Sequence, residues 1–108
     1  MAEPSRLVSG GSADTLPPGE LRRVCSEPPV TIYNVDGAFY ATDDWCSHDK
    51  ASLADGWLEG HTIECPWHMA KVCVRTGKAL TAPARVDIRT FPVQVENGEL
   101  FVDLGAAA

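Results

Sequence analysis

The sequence predicts an all-β protein, an antiparallel sandwich or small barrel, on three observations. Its apolar runs are short and are interrupted by Gly or Pro about every eight to twelve residues. The runs themselves have strand character, with β-branched and aromatic residues prominent among them. Asp36-Gly37 lies between TIYNV and AFYAT, and that dipeptide between two strand-like runs is a strong hairpin signal.

Taken along the chain, SADTL can form one short helical turn at most, and LPPG and EPP read as loops. LRRVC (21–25), VTIYNV (30–35) and AFYAT (38–42) read as strands. HTIEC (61–65), KVCVRT (71–76), VDIRTFPVQVE (86–96) and ELFVDL (99–104) follow. Thr76-Gly77 and Asn97-Gly98 mark two more tight turns, with Gly37, Gly77 and Gly98 supplying the positive φ that such turns need. There is no internal repeat and no linker, so residues 1–108 are expected to form one domain.

Composition narrows the function. Hydrophobic residues make up 44% of the 108, enough for a packed core. Fifteen acids against nine bases give a net charge of -6, which argues against a nucleic-acid partner because phosphates would repel it. MAEPSRLVSGGSADT has no basic head followed by an apolar run, so no signal peptide is expected. No stretch approaches the roughly 18–20 apolar residues needed to span a bilayer. The expectation is a cytoplasmic protein without a membrane partner. In that reducing compartment the four cysteines are read as free thiols, metal ligands or core positions rather than disulfides.

Two loops carry the chemistry. CSH follows AFYATDDW, and CPWH follows HTIE, so each loop offers one Cys and one His at a strand end. The spacing is Cys46-x-His48, sixteen intervening residues, then Cys65-x-x-His68. Two thiolates and two imidazoles can hold zinc tetrahedrally, but a zinc finger usually keeps its two Cys in one pair and its two His in the other. One of each per loop suits a binuclear cluster in which one iron takes both Cys and the other takes both His.

This pattern resembles the Rieske family of 2Fe–2S proteins. VTIYNVDGAFYATDDWCSH, LADGWLEGHTIECPWH, KVCVRTGKALTAPA and FPVQVENGELFVDL are all similar to it, covering most of residues 6–104. The strongest likeness is to the stand-alone Rieske ferredoxins of bacterial aromatic-ring-hydroxylating dioxygenases. The resemblance implies a Rieske fold: antiparallel sheets plus a small cluster-binding subdomain of two ligand loops, at about residues 43–85. It implies one 2Fe–2S cluster, with Cys46 and Cys65 on the buried iron and His48 and His68 on the outer one. The TAPA loop with Pro83 matches the loop that shields the cluster in this family. The competing readings are core cysteines with unrelated histidines, and zinc. The first requires two of only three His to fall in this frame by chance.

The mixed ligand set has a chemical reason. Two ferric ions, two sulfides and two thiolates sum to zero charge when both His are neutral, which raises the potential above that of an all-cysteine cluster. High-potential members of the family place an extra Cys in each loop, and a Ser and a Tyr beside the cluster. Here Ala51, Trp67, Ala70 and Val72 stand at those places, so a low-potential ferredoxin is implied.

Other residues are read more plainly. Cys25 and Cys73 are expected to be small buried core residues, and His61 an exposed loop residue. Trp45, Trp57 and Trp67 either wall the cluster from water or simply pack. Between Asp43 and Glu64 six acids face one base, Lys50. That stretch is either a solvated face or an acidic rim that steers a basic partner. Arg89 is expected on a strand away from the loop tips.

The function implied is one-electron transfer from an NADH-dependent flavoprotein reductase to a terminal oxygenase, by a monomer. The alternative is the small Rieske-like subunit of a nitrite reductase or another oxidoreductase. A catalytic oxygenase needs two further His and a carboxylate for a mononuclear iron, and only His61 remains. No G-x-G-x-x-G opens a strand–helix unit for a dinucleotide. The chain is therefore expected to be a carrier and not an enzyme.

Overall fold

The computed structural model describes residues 7–24, 29–44, 52–64, 71–80 and 88–106. Among them run β1 (Leu7–Ser12), β2 (Leu21–Val24), β3 (Val30–Val35), β4 (Ala38–Asp43) and β5 (Trp57–Glu59). The chain continues through β6 (Thr62–Glu64), β7 (Lys71–Cys73), β8 (Thr90–Phe91), β9 (Val93–Glu96) and β10 (Glu99–Asp103). The described helical pieces are single 3-10 turns: η1 (Ala13–Thr15), η2 (Leu53–Asp55) and η3 (Leu104–Ala106). Among the described residues three sheets form, in the orders β1-β10-β9, β2-β3-β4-β8 and β5-β6-β7. Every strand pairing among the described residues is antiparallel, as the sequence predicts.

β3 explains how the sheets come together. All six of its residues are buried, because it is covered on both faces. Val30 and Ile32 point into a core with Leu16, Ala41, Phe91, Leu100 and Val102, between the first two sheets. Tyr33 and Val35 point the other way, into a core with Leu53, Ile63, Val72, Val74 and Ile88 that underlies the small sheet. The alternation of side chains along a strand thus sends one set of residues to each core. Asn34 is buried as well, and its two polar ends are satisfied: Nδ2 donates to the Leu16 carbonyl at 2.8 Å and Oδ1 accepts from Gly37 N at 2.8 Å.

The hairpins follow their turn residues. Val35 pairs with Ala38 and Glu96 with Glu99, across Asp36-Gly37 and Asn97-Gly98. All four turn residues have positive φ (53°, 91°, 51° and 77°), the signature of a type I′ turn. Gly77 also has positive φ, at 78°.

Elsewhere the structure differs from the sequence reading. VDIRTFPVQVE is not one strand: β8 ends at Phe91 and β9 starts at Val93. Pro92 lacks an N–H for the ladder, so the run breaks there, while its carbonyl still accepts from Asp103 N at 3.0 Å. KVCVRT is a strand only to Cys73, since the chain turns so that Gly77 N reaches the Cys73 carbonyl at 2.8 Å. β1 and β5 are strands that local sequence did not announce. Cys73 is half-buried rather than a core residue. Cys25 lies outside the described residues.

Tyr33 is fully buried, and its hydroxyl shares a 2.8 Å hydrogen bond with Thr42 Oγ1. Burial pushes its phenol well above the ordinary value, and the nearby Asp44 and Asp43 carboxylates add to the rise. The folded protein therefore keeps the Tyr33 proton at pH values where the unfolded chain has lost it. This stability is fully present below about pH 10, the unfolded value, and falls as pH rises above it. Urea unfolding at pH 8 and pH 11 should show that decline in the parent protein and a smaller one in Tyr33→Phe. An equal alkaline loss in both would assign the effect to other groups.

Candidate metal centre

The residues singled out as ligands, Cys46, His48, Cys65 and His68, lie outside the described residues, as do Pro83, Ala51, Ala70, Trp45 and Trp67. What the structure describes is the frame from which their three segments spring: 45–51, 65–70 and 81–87.

The first segment leaves β4 through Asp44 and returns at Ser52. Both ends are tied to each other: Leu53 N donates to the Asp44 carbonyl at 2.7 Å, and Ser52 Oγ donates to both Asp44 carboxylate oxygens at 2.8 Å. The second segment is the loop of the β6–β7 hairpin, closed by the Glu64–Lys71 pair, whose side chains also approach to 4.0 Å. The third starts after Leu80, whose N–H donates to the Lys71 carbonyl at 2.8 Å at the base of the second. It ends at Ile88–Arg89, where the Arg89 carbonyl accepts from Asp43 N at 3.1 Å beside the base of the first. Each segment thus begins or ends against another.

The first two segments are also in direct contact at their bases. Trp57 pairs with Glu64 in the β5–β6 ladder, and the preceding Gly56 lies so close that a Cβ there would overlap the Glu64 carbonyl oxygen. The exit of the first loop is therefore set down on the entry of the second. Sequence reasoning missed both Asp44 and Gly56 as members of this frame. An acidic residue just before a loop and a glycine just after it are too common to signal such roles by themselves.

The acidic stretch divides once partners are known. Asp43 is held by Arg89, whose Nη2 reaches Oδ1 at 2.8 Å and whose backbone N reaches Oδ2 at 2.9 Å. That hydrogen bond, ahead of the opposing effect of burial, raises the Arg89 guanidinium further above its ordinary value. Asp44 is buried and Glu64 is paired with Lys71, while Asp55 and Glu59 are exposed. Asp49 and Lys50 lie outside the described residues. Arg89, expected on a strand away from the loop tips, lies just before β8 rather than on it, and it anchors the base of the first loop.

His61 is a half-buried turn residue whose ring meets Tyr40 edge-on at 5.5 Å between centroids, rather than a freely exposed one. Trp57 is 58% exposed, so simple core packing does not describe it. It lines an open groove on the small sheet with Glu59, Thr62, Glu64, Lys71 and Leu80. Among the described residues, no group of three or more His, Cys, Asp or Glu is placed to hold a metal. No helix among them is long and apolar enough to cross a membrane.

An antiparallel β frame that brings together the bases of two loops, each bearing one Cys and one His, is the design of an iron–sulfur electron carrier. Comparison with known proteins gives the same class. Residues 7–92 match the family model described as the Rieske [2Fe-2S] domain, and the chain belongs to that family. It is 47% identical over 104 residues to the 3-phenylpropionate/cinnamic acid dioxygenase ferredoxin subunit of Escherichia coli (strain K12), covering 95% of this chain and 97% of the relative. A solved structure titled as a complex of reduced oxygenase and oxidized ferredoxin in carbazole 1,9a-dioxygenase contains a chain that superposes with a TM-score of 0.86. The identity there is 38%, over 90% of this chain and 92% of that one. The Sphingomonas yanoikuyae B1 ferredoxin superposes with a TM-score of 0.85 at 35% identity, over 91% and 98%. The protein is a Rieske-type ferredoxin: it carries one 2Fe–2S cluster and transfers electrons. The all-β Rieske fold implied by the sequence is the fold observed.

Proposed function

We propose that this ferredoxin is the electron shuttle of an aromatic-ring-hydroxylating dioxygenase system. It takes single electrons from an NADH-dependent flavoprotein reductase and delivers them to a terminal oxygenase. The observation that carries this reading is the 47% identity, across nearly the whole of both chains, to a dioxygenase ferredoxin subunit. The protein acts as a cytoplasmic monomer and as one domain, with its cluster-binding part at about residues 43–85.

Cys46 and Cys65 supply thiolates to one iron, and His48 and His68 supply ring nitrogens to the other. The donor set fits the group in number and type, and each loop contributes one donor of each kind. When bound, the cluster supplies a site that gains and loses one electron. The chain's own residues hold it, limit its contact with water and set its potential. Val72 is fully buried among Tyr33, Leu53 and Ile63, and offers no hydroxyl to a cluster sulfide. With Ala51, Trp67 and Ala70 equally unable to withdraw charge, the midpoint potential should lie near the low end of the Rieske range, about -150 mV. Voltammetry at pH 7 placing it above roughly +100 mV would contradict the low-potential assignment.

The function is tested by stopped-flow mixing of the reduced ferredoxin with the oxidised terminal oxygenase of the Escherichia coli 3-phenylpropionate/cinnamic acid system. The ferredoxin should be reoxidised, with matching reduction of the oxygenase. No transfer there, but rapid transfer to a nitrite reductase catalytic subunit, would move the protein to a different system.

A further inference from the structure

The structure assigns to Asp44 a positioning role: its carboxylate staples the exit of the first ligand loop to its entry, and so sets that loop against the second. This rests on the reading of Cys46 and His48 as ligands. Asp44 precedes Cys46 by two residues, and its side chain is only 2% exposed. Its carboxylate is nevertheless surrounded. Oδ1 accepts from Thr31 Oγ1 at 2.6 Å, Ser52 Oγ at 2.8 Å and Ala54 N at 3.2 Å. Oδ2 accepts from Ser52 Oγ at 2.8 Å and faces Arg23 Nε at 3.3 Å.

The direction of these bonds explains why a carboxylate stands here. The Ala54 amide and the Arg23 guanidinium can only donate, and both hydroxyls are used as donors. A group with two accepting oxygens satisfies all four. An asparagine would turn its NH₂ toward one or more of these donors, leaving buried polar groups unpaired.

The arrangement also has an address. Two of the four partners, Ser52 and Ala54, belong to the exit of the first loop, and Leu53 between them bonds to Asp44's own carbonyl at 2.7 Å. Arg23 braces the exit from β2, with Nη2 on Ser52 Oγ at 2.6 Å. The braced segment runs on to Gly56, which is seated on the Glu64 carbonyl at the entry of the second loop. Loosening the staple therefore moves one Cys–His loop relative to the other. A purely structural aspartate at the β3–β4 end would stabilise the fold without affecting what the loops hold.

The full-length, cluster-loaded protein separates the two roles. Asp44→Asn and Ser52→Ala should each lose visible absorbance to a ferrous chelator about tenfold faster than the parent, in the range found when outer supports of metal ligands are removed. Both should also change the g-values of the reduced protein's electron paramagnetic resonance spectrum. Asp44→Asn, which removes a negative charge two residues from Cys46, should raise the midpoint potential as well. Arg22→Ala, on the same strand as Arg23 but bonded to Gly10 and Thr15 and not to Asp44, should leave chelation close to the parent rate. If Asp44→Asn fails to fold, Ser52→Ala decides alone, since it deletes one hydroxyl and no charge. Lower melting temperatures with unchanged chelation rate, spectrum and potential would overturn the proposal. A cluster retained in Cys46→Ala would instead overturn the ligand reading beneath it.

Discussion

Cys46→Ser gives a colourless protein. On the proposed ligand set, a serine hydroxyl at this position does not replace a thiolate, and the loss of one of the four donors should release iron and sulfide together. Because a bound metal group contributes its binding energy to folding, the apo protein should also be less stable than the parent. The loss should not be uniform. The core of Val30, Ile32, Ala41, Phe91, Leu100 and Val102 is built mainly from β3, β8 and β10, and of these residues Ala41 alone stands on β4, the strand that leads into the first Cys–His loop. The other core contains Leu53, Ile63 and Val72, which lie just after the first ligand segment and on either side of the second. Hydrogen exchange should therefore speed up in β5, β6 and β7 of Cys46→Ser and stay slow in β1 and β10. Uniformly fast exchange would mean that the cluster supports the whole fold and not one end of it. Full cluster content in this variant would remove Cys46 from the ligand set.

Gly56→Ala should destabilise the protein by about 2 kcal/mol and lower its melting temperature by roughly 10 °C. Two effects oppose each other at this position. Gly56 has φ -92° and ψ -160°, a conformation that alanine adopts freely. Replacing glycine where the backbone permits it gains about 0.4–1 kcal/mol through the unfolded state. Against that, the new methyl would overlap the Glu64 carbonyl, which is backbone in a paired strand and has no rotamer to move into. Overpacking of this kind costs about 1–3 kcal/mol, and the rigidity of the obstacle places the cost at the upper end. The clash wins. Thermal melts followed by circular dichroism measure the difference, and a melting temperature equal to or above the parent's would show that β5 can draw back from β6. Gly60→Ala is not a suitable control, because its φ of 59° adds backbone strain of its own.

How much could be read from the sequence depended on the range over which each feature is determined. The two I′ hairpins were legible because Asp36-Gly37 and Asn97-Gly98 settle their own backbone. VTIYNV was legible because five of its six residues favour a strand, whichever face is covered. The Cys–His pairs stood out because cluster ligation depends on donor type and spacing, and both are written locally; their placement lies outside the described residues. LVSGGS was missed because nothing local favours a strand there. It is held by β10 from the far end of the chain, with a bulge between Ser9 and Gly11. WLE was missed because three residues are too few for a periodicity to show, and its strand exists through its pairing with β6. DD before the first loop read as part of an acidic rim. Only the distant Arg89, Thr31 and Ser52 reveal that neither aspartate is offered to a partner.

β3 is a wall shared by two rooms. Its residues 30 and 32 face the room that holds the sheet of the chain's two ends, and its residues 33 and 35 face the room beneath the small sheet. The two sets can be altered separately in a way that few positions in so small a protein allow. Changes at 33 and 35 reach the core beneath the small sheet, from which the second Cys–His loop springs, whereas changes at 30 and 32 reach the other core. A lineage adapting such a carrier to a new partner or a new driving force can revise one side while the other keeps the molecule folded. The strand between them, six residues long and covered on both faces, has no exposed position, so every change along it is felt by one side or the other.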